Sequence, residues 1–519
     1  MHHQVLLVLS LLFAIGLLHV LSSKLRVSFP ILLVLGGLAI SLIPGLPEIR
    51  LEPDLVFLVF LPPLLYESAW DTSWHDFWEN RRAIFIQAVG LVFFTSCVTA
   101  LLGRALGFPW AWGFLLGGII SPPDAVAAAS VFKGLRVPKS ALVILEGESL
   151  INDASSLIVF RFALATILTG RFSAGEAALQ FVVVSVVGVA IGLLLARVVF
   201  WIHQHLPLSA GVDAALTVMT PYLMYLIAEQ VHCSGVLAVV AGGLYLSFRA
   251  HEFLRPSSRV QANGVWSTLS FLLNGLVFIL IGLQLPMMVG GLGDVPVWSA
   301  IAYGLIVSAT VIVVRIGWTF VSAYIMRLSP ARRRAQPLPP DPRVVFLVAW
   351  SGMRGVVSLA SALSIPLLLD SGEPFPQRAL CLFITFVVIL STLVLQGLSL
   401  PAIIRWLRFE PEGEPHEQRS RLELLLARAA AEHLRQKYAR EVAQQSTFAR
   451  LLAHYDELTA ASAPASEEAR YREARRSIVA VQRLTLLRVQ REATVEHELT
   501  LDRALALDLE AASLEDEPD

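Results

Sequence analysis

The amino-acid sequence predicts an all-α polytopic membrane protein of about thirteen transmembrane helices, two of them discontinuous, with a helical cytoplasmic C-terminal tail. Three observations carry that prediction. Of 519 residues, 55% are hydrophobic and only 16% are charged, against about 25% charged in soluble domains, and mean hydropathy is +0.66. Apolar runs of about 17 to 25 residues, the length that crosses a bilayer as a helix, recur as far as about Leu407. Two of them are interrupted beside a charge, at Ser121-Pro122-Pro123-Asp124 and at Ser351-Gly352-Met353-Arg354-Gly355.

The runs centre near residues 12, 36, 61, 92, 121, 153, 189, 221, 241, 276, 311, 356 and 391, the third and ninth being short. The first lacks a basic leader and an A-x-A-like cleavage site, so it is expected to stay as a span. Lys24 and Arg26, Arg81 and Arg82, Lys133, Arg136 and Lys139, Arg249, Arg255 and Arg259, and Arg327, Arg332, Arg333, Arg334 and Arg343 fall in alternate loops. Only Arg50, Arg104, Arg171 and Arg378 fall on the other side. Basic loops favour the cytoplasm, which puts the N-terminus outside and the C-terminus inside. Cys97, Cys233 and Cys381 are odd in number and give no disulfide framework. A net charge of −1 on so apolar a chain gives no reason to expect a nucleic-acid partner.

In the fifth run, Pro122 and Pro123 remove helix donors and clash with the preceding turn. In the twelfth, glycines flank a cation at mid-depth. The two runs lie seven apart, so they cross the bilayer in opposite directions. Matched breaks in two halves point to an inverted-repeat transporter with its site at the midplane. After Arg408 the character changes, dividing the chain into a membrane domain, 1–408, and a tail, 409–519. Pro411, Gly413 and Pro415 form a linker. A charged amphipathic helix is expected from about His416, with Leu422, Leu424, Leu425, Leu426 and Ala429 as its apolar contacts. A second is expected from about Glu467 to Leu509, after Ala461-Ser462-Ala463-Pro464. Such helices need a partner for their apolar stripe, either the tail of a second copy or the inner face of the membrane domain. His416, His433, His454 and His497 read as surface residues rather than pH sensors.

The sixth run, from about Ala141 to Leu168, holds Glu146-Gly147-Glu148-Ser149-Leu150-Ile151-Asn152-Asp153. Acids at mid-depth are costly and face protein or water, by default along an ion or proton path. Helical spacing puts Glu146, Ser149 and Asp153 on one face and Glu148 with Asn152 on an adjacent one. Asp153 falls nearest the middle. Asp124 lies at the same depth, where a half-helix would restart, and a helix N-terminus favours a carboxylate. Two acids and an amide at one depth make an oxygen-rich site suited to hard cations. A buried carboxylate becomes tolerable by binding a proton or a cation, and competition for the same oxygens produces exchange. The competing reading of Asp153 is a permanent ion pair with Arg161, Arg197, Arg315 or Arg354. Arg354, always charged, is expected to neutralise Glu148 and carbonyls freed by a helix break. Glu67, in Pro62-Pro63-Leu64-Leu65-Tyr66-Glu67, either completes the site or reaches water.

These residues together resemble the cation–proton antiporter 1 family, the bacterial NhaP-type sodium/proton exchangers related to animal sodium/hydrogen exchangers. The likeness covers about the first 410 residues, in register at Pro62 to Glu67, Ser121 to Ala127, Glu148 to Asp153 and Gly352 to Gly355. It implies thirteen spans, a dimerisation domain, a six-helix core moving as an elevator, and a homodimer in the plasma membrane. By position, Asp153 would carry the cation and the proton, and Ser149 and Glu67 would touch the transported Na+. Asn152 and Asp124 would support the crossing region, and Glu148 with Arg354 would form the buried ion pair. Asn152-Asp153, in place of two acids, resembles the electroneutral branch. Arg161, at Asn-Asp-x7-Arg, resembles bacterial members. Pro123 and Ala125 depart from the usual Thr and Pro, which removes one oxygen and bears on sodium preference. No cofactor and no enzymatic reaction are implied, since Na+ and H+ are cargo.

Three rivals stay open. The chain could be a K+/H+ antiporter, or a cation channel without coupling. An intramembrane aspartyl protease needs two Asp on facing helices, and Asp124 with Asp153 meets that loosely. Neither stands in a Gly-x-Gly-Asp sequence; the one such sequence, Gly291-Leu292-Gly293-Asp294, falls between runs.

Overall fold

A computed structural model describes residues 2–25, 27–43, 57–132, 135–170, 174–293, 295–325, 341–369, 372–409, 415–460, 477–478 and 481–482. Contacts divide the chain into two units, Met1–Pro411 and Glu412–Asp519. Apart from one isolated bridge, Leu368 with Pro374, regular structure among the described residues is helical.

In the first unit, besides the short helices Ala250–Phe253 and Leu285–Gly290, the helices are α1 (His2–Leu25), α2 (Phe29–Ser41), α3 (Leu61–Asp71), α4 (Trp74–Ala105), α5a (Trp110–Ile120) with α5b (Ala125–Phe132), and α6 (Lys139–Thr169). They continue as α7 (Ala174–His205), α8 (Ala210–Gln230), α9 (Gly235–Phe248), α10 (Pro256–Leu283), α11 (Val297–Ile325), α12a (Pro342–Trp350) with α12b (Val356–Leu363), and α13 (Arg378–Leu407). Each coincides with one predicted run. Nine segments among the described residues are long and apolar enough to cross a membrane, and α2 and α9 are shorter apolar helices. The expected short third run is α3, of 11 residues. It ends where Ser73 starts the next helix by accepting from Asp76 N–H.

Local chemistry sets the boundaries. Pro sits at the first turn of α2, α3, α10 and α12a, where its missing donor costs nothing. Gly170 ends α6 in the left-handed region, φ 68°, which glycine adopts without strain. Inside α4, residues Ile86–Leu91 form a π-helical turn. The Ile86 carbonyl accepts from Trp318 Nε1 of α11 at 3.3 Å.

Two apolar clusters form inside this unit. One joins α1, α2, α5, α10, α11, α12 and α13 around residues such as Leu33, Ile119, Phe278 and Ile389. The other joins α3, α7, α8 and α9 around Leu65, Met224 and Val239. α6 contributes to both, Phe160 to the first and Leu150 and Ala154 to the second. By contrast, α1 and α7 leave Leu6, Leu9, Phe13 and Leu17, and Val182, Val186 and Leu194, exposed, as lipid-facing helices do.

In the second unit, residues Pro415–Lys437, Ala439–Gln444 and Ser446–Ala460 are helical. The first and last are tied by Arg435 and Asp456 at 2.6 Å and by the Tyr438 and Phe448 rings at 5.6 Å. His433 and His454 are exposed. The expected second tail segment lies outside the described residues, save 477–478 and 481–482, as do Arg26, Arg50, Lys133, Arg171, Arg327, Arg332, Arg333 and Arg334.

Candidate functional site

The two breaks meet. Pro122 and Pro123 end α5a, and the helix restarts at Ala125. Asp124 N–H, left without a helical acceptor, donates to the carbonyl of Met353 in the other break at 2.7 Å. Asp124 Oδ1 accepts from the N–H groups of Val126 (2.9 Å) and Ala127 (3.2 Å), the orphan donors of α5b. Val356 N–H, at the start of α12b, also donates to this carboxylate. One acid therefore serves two helix N-termini, whose dipoles favour negative charge.

Two guanidiniums serve the opposite ends. Arg354 Nη1 donates to the Ser121 carbonyl at the end of α5a, and Arg354 N–H donates to Thr392 Oγ1 at 3.1 Å. Arg315, from mid-α11, donates to the carbonyls of Ala349 and Val348 near the end of α12a, both at 3.2 Å. Its fork also grips Glu148, Nη1 to Oε1 at 2.6 Å and Nη2 to Oε2 at 2.9 Å, in a pair whose side chains are each only 1% exposed. Such bidentate geometry is the strong form of a charged hydrogen bond.

This corrects the sequence expectation. Glu148 pairs with Arg315, not Arg354, because Arg354 is turned to the Ser121 carbonyl while Arg315 presents its planar fork to the acid. Arg354 remains within electrostatic reach of both. The glycines of Gly-x-Arg-Gly also find their reasons. A side chain at Gly352 would run into Arg315, and one at Gly355 into the carboxylate of Asp124. Gly355→Ala is accordingly expected to abolish transport and lower thermal stability, because a Cβ must displace the acid that holds two helix ends. Unfolding measured in detergent and flux in vesicles test this, and wild-type behaviour in both counts against it.

Beside the crossing lies a cavity with about 50 Å³ open to water-sized molecules, room for a few waters at about 10–15 Å³ each. α3, α5, α6, α10 and α12 line it, with polar groups from Ser68, Asp124, Ser149, Asp153, Asn274 and Ser358. Asp153, on α6, is 6% exposed. No hydrogen bond or ion pair to its carboxylate exists among the described residues, and Asp124 is the charge within its reach. Asp153 thus escapes the competing reading. Arg315 is committed to Glu148, Arg354 to Ser121, Arg161 to Glu229, and Arg197 to Tyr245.

The predicted residues divide into two groups. Asp153, Asp124 and Ser149 share the cavity. Asn152 is fully buried on the Glu148 face, off the cavity, and neither of its amide atoms has a partner among the described residues. Glu67 is half-buried and hydrogen-bonded to Ser270 of α10, also off the cavity wall, where its neighbour Ser68 stands instead. Glu146, expected on the Asp153 face, is half-buried and outside the lining. Arg161, left without a role by sequence, holds Glu229 of α8 through two bonds of 2.9 and 2.8 Å. Glu229 in turn accepts from Gly235 N–H at the start of α9.

Asn274 and Ser358 were missed. Asn274 is the one amide between Ser270 and Gly282 in an apolar run, a signal that was available. Ser358, one serine among several in α12b, gave none. Arg315 is the sole charge of its span, which marks a buried cation, but the sequence offers it as a partner for Asp153 and not for Glu148.

Comparison with known proteins agrees with this geometry. A family model described as the transmembrane sodium/hydrogen exchanger matches residues 8–406. The chain is 36% identical over 417 residues to an uncharacterized Na+/H+ exchanger of Mycobacterium bovis, spanning 79% of this chain and 74% of that one. It is 34% identical over 381 residues to a sodium, potassium, lithium and rubidium/H+ antiporter of Bacillus subtilis, of which it spans only 56%. It is 30% identical over 435 residues to the Na+/H+ antiporter ApNhaP of Aphanothece halophytica, spanning 83% of this chain and 79% of that one. In fold, it superposes on the sodium proton antiporter MjNhaP1 of Methanocaldococcus jannaschii with a TM-score of 0.60 at 19% identity, over 78% of this chain and 99% of that one. With two broken helices crossed around buried acids, and a family match across most of its length, this multi-pass membrane protein belongs to the sodium/hydrogen exchanger family.

Proposed function

We propose that the chain exchanges Na+ for H+, one for one, across the plasma membrane, with Asp153 carrying each ion in turn. The observation that carries this reading is a buried carboxylate, unpaired by any cation among the described residues, on the wall of a cavity with room for a few waters. Such a group must take up either a proton or a metal ion, and both compete for the same two oxygens. The formal charges at the crossing support the stoichiometry. Asp124, Asp153 and Glu148 face Arg315 and Arg354, which leaves one negative charge for one proton or one alkali ion to neutralise. Alternating access follows an elevator-like displacement of the crossing against the remaining helices. The N-terminus lies outside, the C-terminus is cytoplasmic, and the unit of function is a homodimer. No cofactor takes part, and the chain catalyses no covalent reaction. Li+ and K+ accept the same oxygens, so they belong in the same test.

The test is reconstitution in vesicles with an imposed proton gradient. Added Na+ is expected to move protons, without a current, at any fixed voltage. Downhill Na+ flux without proton movement would establish an uncoupled channel instead.

A further inference from the structure

The cavity has more oxygens than the acids explain. Pro122 and Pro123 line it but carry no side-chain oxygen, and Asp124 is engaged by backbone N–H groups. α5 and α6 therefore leave a desolvated cation little beyond the Asp153 carboxylate and the Ser149 hydroxyl. Hard cations take about six oxygens, so that set is incomplete. Two unpartnered groups face the deficit. Ser358, on the first turn of α12b, lines the cavity, is 1% exposed, and its hydroxyl has no hydrogen-bond partner among the described residues. Asn274, from α10, lines the same cavity, and its amide oxygen is buried without a partner among the described residues. Polar groups buried in this state are costly unless something binds them. An incoming ion meets that need, and they meet its need for oxygens.

We propose that Ser358 and Asn274 are two further ligands of the transported cation and set the preference among alkali ions. The proposal rests on the reading of the cavity as the carrier site. With them the cation is held by three walls, α6, α12b and α10, rather than by α6 alone. An amide and a hydroxyl are neutral and bind the metal ion through their oxygens without taking a proton. They therefore favour the metal over H+ at a site whose acid accepts either.

The experiment uses the full chain in vesicles, with Na+, Li+ and K+ as probes. Ser358→Ala and Asn274→Leu are each expected to raise the cation KM about three- to tenfold, the worth of one polar contact. The maximal rate is kept, and the ratio of Li+ to Na+ KM changes. Ser358→Thr, which keeps the hydroxyl, is expected to stay near wild type in Na+ KM. A merely structural serine or amide would alter yield or maximal rate and leave the KM ratio alone. The proposal is overturned if either folded variant retains both the wild-type Na+ KM and the wild-type Li+ to Na+ ratio. Should Ser358→Ala fail to insert, Asn274→Leu alone decides the outcome. Absence of coupled flux in the wild-type chain would instead overturn the exchanger reading, so the two failures are separable.

Discussion

Asp153→Asn is expected to reduce Na+-driven proton movement to the level of empty vesicles while leaving a folded, membrane-inserted protein. Asn has nearly the shape of Asp but binds no proton and carries no charge, so it removes both cargoes at once. The loss should be complete because no second acid stands ready on the cavity wall. Asp124 is occupied by the backbone donors of α5b and α12b, and Glu148 is held by Arg315. Stability should not suffer. The Asp153 carboxylate accepts no hydrogen bond among the described residues, and an unpaired buried charge is itself a cost. Thermal unfolding at or above the wild-type temperature, with flux at background, is the expected pair of results. Retained Na+-dependent proton flux in this variant would falsify the assignment of Asp153 as carrier.

Arg315→Ala has the largest expected effect on folding. It leaves Glu148 buried without its cation, a loss worth about 3–5 kcal/mol, and strips the carbonyls of Ala349 and Val348 of their donors. Unfolding in detergent and yield from membranes should both fall. Replacing both partners together, Arg315→Leu with Glu148→Leu, should recover much of the loss, because an apolar pair strands no charge. Arg354→Ala should be milder, since its guanidinium serves the Ser121 carbonyl rather than an acid. Equal unfolding temperatures for Arg315→Ala and wild type would show that Glu148 finds another partner.

Much of the fold was legible because the bilayer restricts the choices. A chain that crosses hydrocarbon must close its backbone hydrogen bonds within helices, so length and hydropathy sufficed to place thirteen segments. The breaks were legible too, since proline and glycine act locally. Asp153, Asp124 and Ser149 came together because helical spacing and depth are both one-dimensional quantities. Pairings across helices were not legible. Arg315 and Arg354 lie at similar depth, and which one meets Glu148 depends on the rotation of α11 and α12 about their axes. The same reason hid Asn274 and placed Glu67 against Ser270 rather than on the cavity wall. Depth can be read along a chain, whereas facing requires the packed bundle.

The joint between the broken helices is made of main-chain atoms, the N–H of Asp124 and the carbonyl of Met353. Every residue except proline supplies that donor, so exchanging the Asp124 side chain for any of the others leaves the N–H in place. If the proposed displacement carries the ion, this joint is expected to make the breaks of α5 and α12 move together. Probes attached to α5b and α12b should keep their separation throughout the cycle, while either one shifts relative to α3.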